Sequence, residues 1–305
     1  MKSHRLIVNG DDFGSSREVN DAVMLAHRRG ILTSTSLMVS GRACEHAVAL
    51  AKDHPGLAVG LHVTLADGHP LMPPSEIPHL VGKNGTFLSD PAMAGLRYFF
   101  CRSARRELSN EIAAQFEKFV QTGLALSHVD SHCHMHVHPV VMDAMAQVAE
   151  RHRINRMRVP TDSFFSALPF LGSPLLTAGY ALVFKLLTGR MKRRLRKRRF
   201  VFPHRVYGNL LTGNMSVEYV LWLLDSLPEG VSEIYFHPAF PCSAEPTQGW
   251  SERVLNTGRT QARRYFSRQL QRFREISILI DRDVRSKIDR LGIILSTYSD
   301  LEKYS

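Results

Sequence analysis

Apolar and polar positions follow two rhythms along the chain: short apolar runs that end in turn residues, and longer stretches in which apolar residues recur every three or four positions. Arg5-Leu6-Ile7-Val8-Asn9 is the first run and closes in Gly10-Asp11-Asp12-Phe13-Gly14. Val19 to Arg29 then keeps helical spacing up to a stop at Gly30. The order returns with Ser34–Val39 as strand, Cys44–Asp53 as helix and Leu57–Val63 as strand after Pro55. Leu65 to Ser89 is loop-rich, broken by Pro70, Pro73, Pro74, Pro78 and Gly85. Leu108, Ile112, Phe116, Phe119 and Val120 share a helical face that ends at Gly123. Leu126–Val129 predicts a strand, Pro139–His152 a helix and Asn155–Pro160 a strand. After an interruption come helix Ser216–Leu227, strand Val231–Phe236, a basic, exposed-faced helix Thr260–Glu275 and a last strand at Ile293–Leu295. Strands alternating with helices in this way predict an α/β fold, a distorted (β/α) barrel of seven or eight mostly parallel strands. No internal repeat divides the chain, so residues 1–305 are read as one domain with an insertion at about 161–204.

Composition changes little in this picture. With 44% hydrophobic and 22% charged residues, the chain belongs to the folded globular class. Cys44, Cys101, Cys133 and Cys242 form no Cys-x-x-Cys pair, which argues against a disulfide framework and for a reducing compartment. Met1 to Asn9 holds no apolar stretch of signal-peptide length, so a cytoplasmic location is expected. The net charge of +11 is local: Arg190 to Arg199 carries eight basic residues, and the rest is nearly balanced.

In parallel α/β folds the chemistry sits at the carboxyl ends of the strands. Those ends hold Asp11-Asp12, Gly60-Leu61-His62, Asp130-Ser131-His132-Cys133-His134-Met135-His136, Arg158-Val159-Pro160 and His237-Pro238. Taken singly each has a bland explanation: His62 as a core residue, the Asp pair as a helix cap, the His run as a surface tract. Five ends converging on one rim favour a hydrolytic metal site, for which an Asp and two His are a sufficient ligand set. With one carboxylate on the metal, its neighbour is free as general base, oriented by Arg158, and His237 is the candidate acid. Alternation points Cys133 away from its histidine neighbours, as a packed or inert thiol.

Asn9-Gly10-Asp11-Asp12-Phe13-Gly14, Gly60-Leu61-His62, Asp130 to His136, Arg158-Val159-Pro160 and His237-Pro238, in this order, resemble the motif set of the YdjC-like carbohydrate deacetylases, and most closely their hopanoid-biosynthesis-associated branch. The resemblance covers about residues 4 to 160 and 205 to 295. It implies a fold related to polysaccharide deacetylases and metal-dependent removal of N-acetyl groups from amino sugars. Carried over by position, Asp12 and His62 match metal ligands. The third ligand falls in Asp130 to His136, with His132 chosen and His134 in reserve. Asp11 matches the base and His237 the acid, while Asp130 stands as a further site residue. Gly10 and Ala239 depart from the Ala and Gly more usual there, which bears on loop shape rather than chemistry. One divalent ion is expected, zinc or magnesium, with manganese or cobalt also compatible with the donors.

Ser163 to Phe184 carries no charge and runs directly into the basic segment. Pro169, Gly172, Pro174 and Gly179 interrupt it, and the part past Pro174, Leu175 to Leu187, is about 20 Å long as helix. A bilayer span needs about 30 Å. An apolar hairpin dipping into one leaflet is therefore expected, with Phe170, Leu175 and Leu176 in the lipid and Arg193, Arg194, Arg196 and Lys197 on anionic head groups. The partners are then an amino sugar or glycolipid and the inner face of the cytoplasmic membrane. A helix packed on the barrel or at a homodimer contact is the alternative. Nucleic acid is not expected, because the basic segment lacks interleaved aromatics. The rival functions are a metallophosphoesterase and a non-catalytic lipid- or nucleic-acid-binding protein.

Overall fold

A computed structural model describes residues 4–241 and 259–304, apart from the side chains of 174–176, 259–268 and 304. Cys242 lies outside them. The elements in chain order are β1 His4–Phe13, α1 Arg17–Arg29, β2 Ser34–Leu37, α2 Cys44–Lys52, β3 Ala58–Val63, α3 Pro91–Phe100 and α4 Arg102–Gln121. There follow β4 Leu126–Ser131, a 3-10 turn His132–Val137, α5 Pro139–Arg151, α6 Phe164–Ala167, α7 Pro174–Lys197, β5 Arg205–Tyr207, α8 Val217–Asp225 and β6 Gly230–Phe236. Past the undescribed segment stand α9 Arg259–Leu279, α10 Arg282–Arg290, β7 Ile294–Ser296 and α11 Leu301–Tyr304.

The strands form one sheet in the order β4-β3-β2-β1-β6-β5, with β7 added beside the start of β1, and all named pairs are parallel. Bridges from Val129 to Met157 and from Arg156 to Val201 carry the sheet past β4, and the chain from Val201 runs on to β5 at the opposite edge. The result is the distorted barrel the alternation predicts. Leu6, Ile7 and Val8 of β1 are wholly buried, as suits a strand covered on both faces. Outside it, α1 starts at Ser16, whose hydroxyl accepts from Val19 N–H, and buries Val19, Ala22, Val23 and Ala26. Because every strand runs the same way, all carboxyl ends meet at one rim.

Local sequence misplaces four features. The expected strand at 155–160 supplies only bridges at Arg156 and Met157, and β5 is too short to show a period. The α3 helix was not anticipated, although Asp90 caps it and Pro91 opens it. The stretch expected as an apolar hairpin holds the short helix α6, a 3-10 turn Leu168–Phe170 and the first turns of α7, which runs on through the basic segment: Pro174 fits its first turn, and Gly179 and Gly189 are carried within it at about 1 kcal/mol each. Two of the expected lipid contacts are otherwise engaged. Phe170 packs edge-on against Tyr219 and Trp222 of α8 at 5.2 and 5.9 Å, and Arg194 is ion-paired with Asp143 of α5. The side chains of Leu175 and Leu176 lie outside the described residues; Arg193, Arg196 and Lys197 are exposed.

Candidate metal centre

β1 continues through the Asp pair to Phe13, and its register with β2 slips between Gly10 and Phe13. Asp12 takes a left-handed φ of 67° at that bulge. Two consecutive side chains, which a regular strand would send to opposite faces, both reach the polar rim for this reason. Asp12 Oδ1 then lies 3.0 Å from His132 Nδ1 and 3.5 Å from His62 Nε2. Its other oxygen is contacted by the Arg272 guanidinium.

Asp12, His62 and His132 each present a ligand atom within 4.8 Å of the others, and so do Asp11, His62 and Asp130. Hydrogen bonding separates the two sets. Asp130 Oδ1 lies 2.8 Å from His62 Nδ1, while its Oδ2 accepts from Ser36 at 2.8 Å and pairs with Arg158 at 2.7 Å. With Nδ1 so engaged, His62 offers Nε2 toward Asp12, the carboxylate–histidine arrangement that orients metal ligands. Asp11 is turned toward Arg158, which donates to both of its oxygens, at 2.7 and 2.8 Å; Asn9 adds a bond of 2.7 Å to Oδ1, and Oδ2 keeps a side toward His237. Asp12, His62 and His132 are thus the set with donor atoms to spare.

Arg158 is fully buried and serves a third carboxylate as well, donating to Glu233 at 2.6 and 3.0 Å. Glu233 in turn accepts from the Tyr298 hydroxyl. Tyr298 stacks on His128 at 3.9 Å, and that ring occupies the space where a Cβ on Gly60 would stand, 2.3 Å from its nearest atom. The glycine of Gly60-Leu61-His62 is a packing requirement of the layer beneath the site.

The His-rich run is a turn, not a strand, and Cys133 and His134 both have left-handed φ, 54° and 51°. Alternation therefore fails for it. Cys133 is exposed rather than packed, His136 turns inward to Ser131 at 2.6 Å, and His134 swings to the Tyr235 hydroxyl at 2.9 Å, outside both ligand sets. Of this run, His132 alone joins a ligand set among the described residues. His237 Nε2 faces Asp11 Oδ2 at 3.9 Å, and its backbone N–H donates to Glu275. Sequence reading missed Arg272 and Glu275, because α9 looks like a basic surface helix until the fold turns this end of it inward. Glu233, Tyr235 and Tyr298 were missed too; β-strand alternation from Tyr235 marks Glu233 as facing the same way, which was the available signal.

The electrostatics favour a cation. Among the described residues, Asp11, Asp12, Asp130 and Glu233 crowd around two guanidiniums, those of Arg158 and Arg272. Burial alone would raise the Asp12 carboxyl, but the charges of His132 and Arg272 hold it well below the usual carboxylate range. Burial would lower His62, yet Asp130 and the hydrogen bond with Asp12 push it up to about 9. The cluster draws positive charge to the gap between Asp12 and the two imidazoles, and the donor types there suit a divalent ion.

Similarity to known proteins agrees with this geometry. Over 297 residues, 97% of this chain and 99% of the relative, the sequence is 33% identical to a carbohydrate deacetylase of Brevibacillus brevis. Over 165 residues, 52% of this chain and 62% of the relative, it is 38% identical to a chitooligosaccharide deacetylase of Escherichia fergusonii. A crystal structure from Enterococcus faecalis V583, designated a candidate cellobiose-phosphate cleavage protein, superposes with a TM-score of 0.73 at 24% identity, covering 98% of this chain and 99% of that one; it shows the same fold. The family model described as YdjC-like protein matches residues 5–290, and the chain belongs to that family.

Proposed function

We propose that the protein is a metal-dependent hydrolase that removes the N-acetyl group from an amino sugar of the N-acetylglucosamine type. The observation that carries this reading is the Asp12, His62 and His132 triad lying beside a second carboxylate, Asp11, that is held out of the ligand set by Arg158. The kinship with carbohydrate deacetylases supplies the reaction class.

Asp12, His62 and His132 would hold one divalent ion, zinc or magnesium being the first candidates and manganese or cobalt fitting the same donors. The chemistry such an ion would supply there is polarisation of the acetyl carbonyl and acidification of the attacking water. Asp11 takes a proton from that water; Arg158 fixes its orientation with two hydrogen bonds and is itself locked by Glu233. Burial lowers the His237 pKa, so the imidazole enters the reaction neutral. With Nε2 facing Asp11 at 3.9 Å, it is placed to take that proton over from Asp11 and deliver it to the departing amine.

The sugar is assigned to a lipid-linked acceptor, a hopanoid on the branch resemblance, at the inner face of the cytoplasmic membrane. A cavity of about 630 Å3 between α7 and the strand ends supports this, walled by Phe164, Phe165, Leu182 and Phe184 above Asp162. It adjoins the rim through Phe184, whose ring is 6.4 Å from that of His134. No helix among the described residues is long and apolar enough to cross a membrane, so α7 would lie on the surface.

Acetate release from N-acetylglucosamine and its oligomers by the purified protein, with and without chelator and beside Asp12→Ala, tests the reading. Release abolished by both treatments is expected. Hydrolysis of phosphoesters in place of N-acetyl sugars would replace it with a metallophosphoesterase, and metal binding without any turnover would replace it with a binding protein.

A further inference from the structure

The turn that carries His132 is flanked by two helices, each exposing an apolar face. On one side α3 packs against the turn and α5, with the Phe99 ring 6.0 Å from His138. On the other α7 packs against the same two elements, with Phe184 beside His134. The inner face of α3 is Ala94, Gly95 and Tyr98, all buried. Its outer face is equally apolar and exposed: Met93 at 55%, Leu96 at 52%, Phe99 at 44% and Phe100 at 74%. Leu182, Val183 and Leu186 of α7 and Phe165 before it are exposed in the same way. A helix apolar on both faces is buried against something on each.

Charge indicates what. From Pro91 to Arg106 there is no acidic residue, while Arg97, Arg102, Arg105 and Arg106 are interleaved or adjacent. From Ser163 to Val217 there is again no acidic residue, and Lys185, Arg190, Arg193, Arg196 and Lys197 are exposed on α7. Ion pairs of Arg194 with Asp143 and Arg198 with Glu150 tie the basic end of α7 to α5, fixing the helix relative to the rim. The exposed apolar faces of α3 and α7 thus both lie in segments whose own charged residues are all basic. Apolar side chains that enter the acyl boundary beside arginines that meet head groups are the requirements of an anionic lipid surface.

We propose that α3 and α7 together form a two-sided docking surface for an anionic bilayer, seating the protein with the mouth of the metal centre toward the lipid. The α3 half is the new element, and the proposal deepens the lipid-acceptor reading, on which it rests for its purpose but not for its measurement. Docking places a membrane-held substrate between the two contacts, whereas α7 alone would leave the protein free to pivot away from it.

The test is co-sedimentation of the full chain with vesicles of phosphatidylcholine alone or mixed with phosphatidylglycerol. The variants are Leu96→Glu/Phe100→Glu in α3 and Val183→Glu/Leu186→Glu in α7, whose side chains are exposed and do not wall the cavity, with acetate release from a soluble N-acetyl amino sugar measured alongside. Expected is binding to the mixed vesicles only, weakened about tenfold or more by either pair, with turnover of the soluble sugar kept. If a glutamate pair lowers the melting temperature, Leu96→Ser/Phe100→Ser gives the same reading with less disturbance. Binding indifferent to the α3 substitutions overturns the proposal, as does absence of binding to anionic vesicles. A dimer that the α3 pair dissociates, with no vesicle binding, assigns the face to a second copy and also overturns it. Failure of soluble turnover in the unaltered protein would count against the deacetylase reading and leave the vesicle result standing separately.

Discussion

The metal rim and the 161–204 insertion are both built mainly from residues whose side chains carry charge or bulk, yet they are held in opposite ways. At the rim, one buried guanidinium binds three carboxylates, and each of these touches at least one further polar group. The insertion is held instead by apolar packing, with Ala167, Met191, Leu195 and Phe200 buried in the core, and its polar ties are scattered: Arg194 and Arg198 on α5, and Asp162, whose Oδ2 accepts from Gly208 and Leu210 N–H at 3.2 and 2.9 Å. Low dielectric makes each bond of the first region costly to lose, whereas solvent and rotamer entropy make most bonds of the second cheap. The rim is suited to holding reacting groups in place, and the insertion to meeting a partner that varies in position.

Substitutions can break or sharpen this contrast. Asp11→Asn keeps shape but removes the proposed base and the charge facing Arg158, so turnover should fall by about 10²–10⁴ with the fold retained and the melting temperature lowered. Arg158→Met should cost about 3–5 kcal/mol in denaturant unfolding, since it leaves Asp11, Asp130 and Glu233 buried without their cation. An unfolding midpoint equal to that of the unaltered protein would remove the distinction between the regions. Gly60→Ala drives a Cβ into the His128 ring, which its stacking on Tyr298 keeps from retreating; about 1–3 kcal/mol is expected.

On the insertion side the effects are smaller. Burial raises the Asp162 carboxyl from 3.8 to about 6, against hydrogen bonds from Leu210, Ser163 and Gly208 N–H that oppose the shift. A folded pKa above the unfolded one gives stability that is full below pH 3.8 and lost as pH rises through about 6. Melting curves across that window should therefore show Asp162→Asn gaining on the unaltered protein as pH rises. Arg194→Ala exposes a half-exposed pair to exchange with water and should cost no more than about 1 kcal/mol. A larger loss would mean that α7 is clamped as firmly as the rim.

Much of the site was legible before the fold. Strand ends are marked by turn residues, and in a parallel sheet they gather at one rim, so Asp12, His62 and His132 could be named together and do come within ligand distance. What escaped came from three physical sources. Alternation does not hold through a bulge or a left-handed turn, so the directions of Asp12, Cys133 and His134 were not readable from spacing. Partners distant in sequence are joined by closure alone: Arg272 reaches Asp12 across 260 positions, and nothing local in a basic helix marks one arginine for the interior. The apolar outer face of α3 was hidden because an exposed and a buried apolar residue look alike in sequence.

The sequence by itself determined the α/β alternation, the rim that gathers the polar residues and the residue types that make it a candidate cation site, because hydrophobic period and ligand chemistry are local properties. Only the tertiary structure decided which carboxylate faces the imidazoles and which faces Arg158, that one long helix joins the apolar stretch to the basic segment, and that two helices with exposed apolar faces flank the same turn. Those are matters of backbone direction and of contacts between distant segments, which a one-dimensional pattern does not encode.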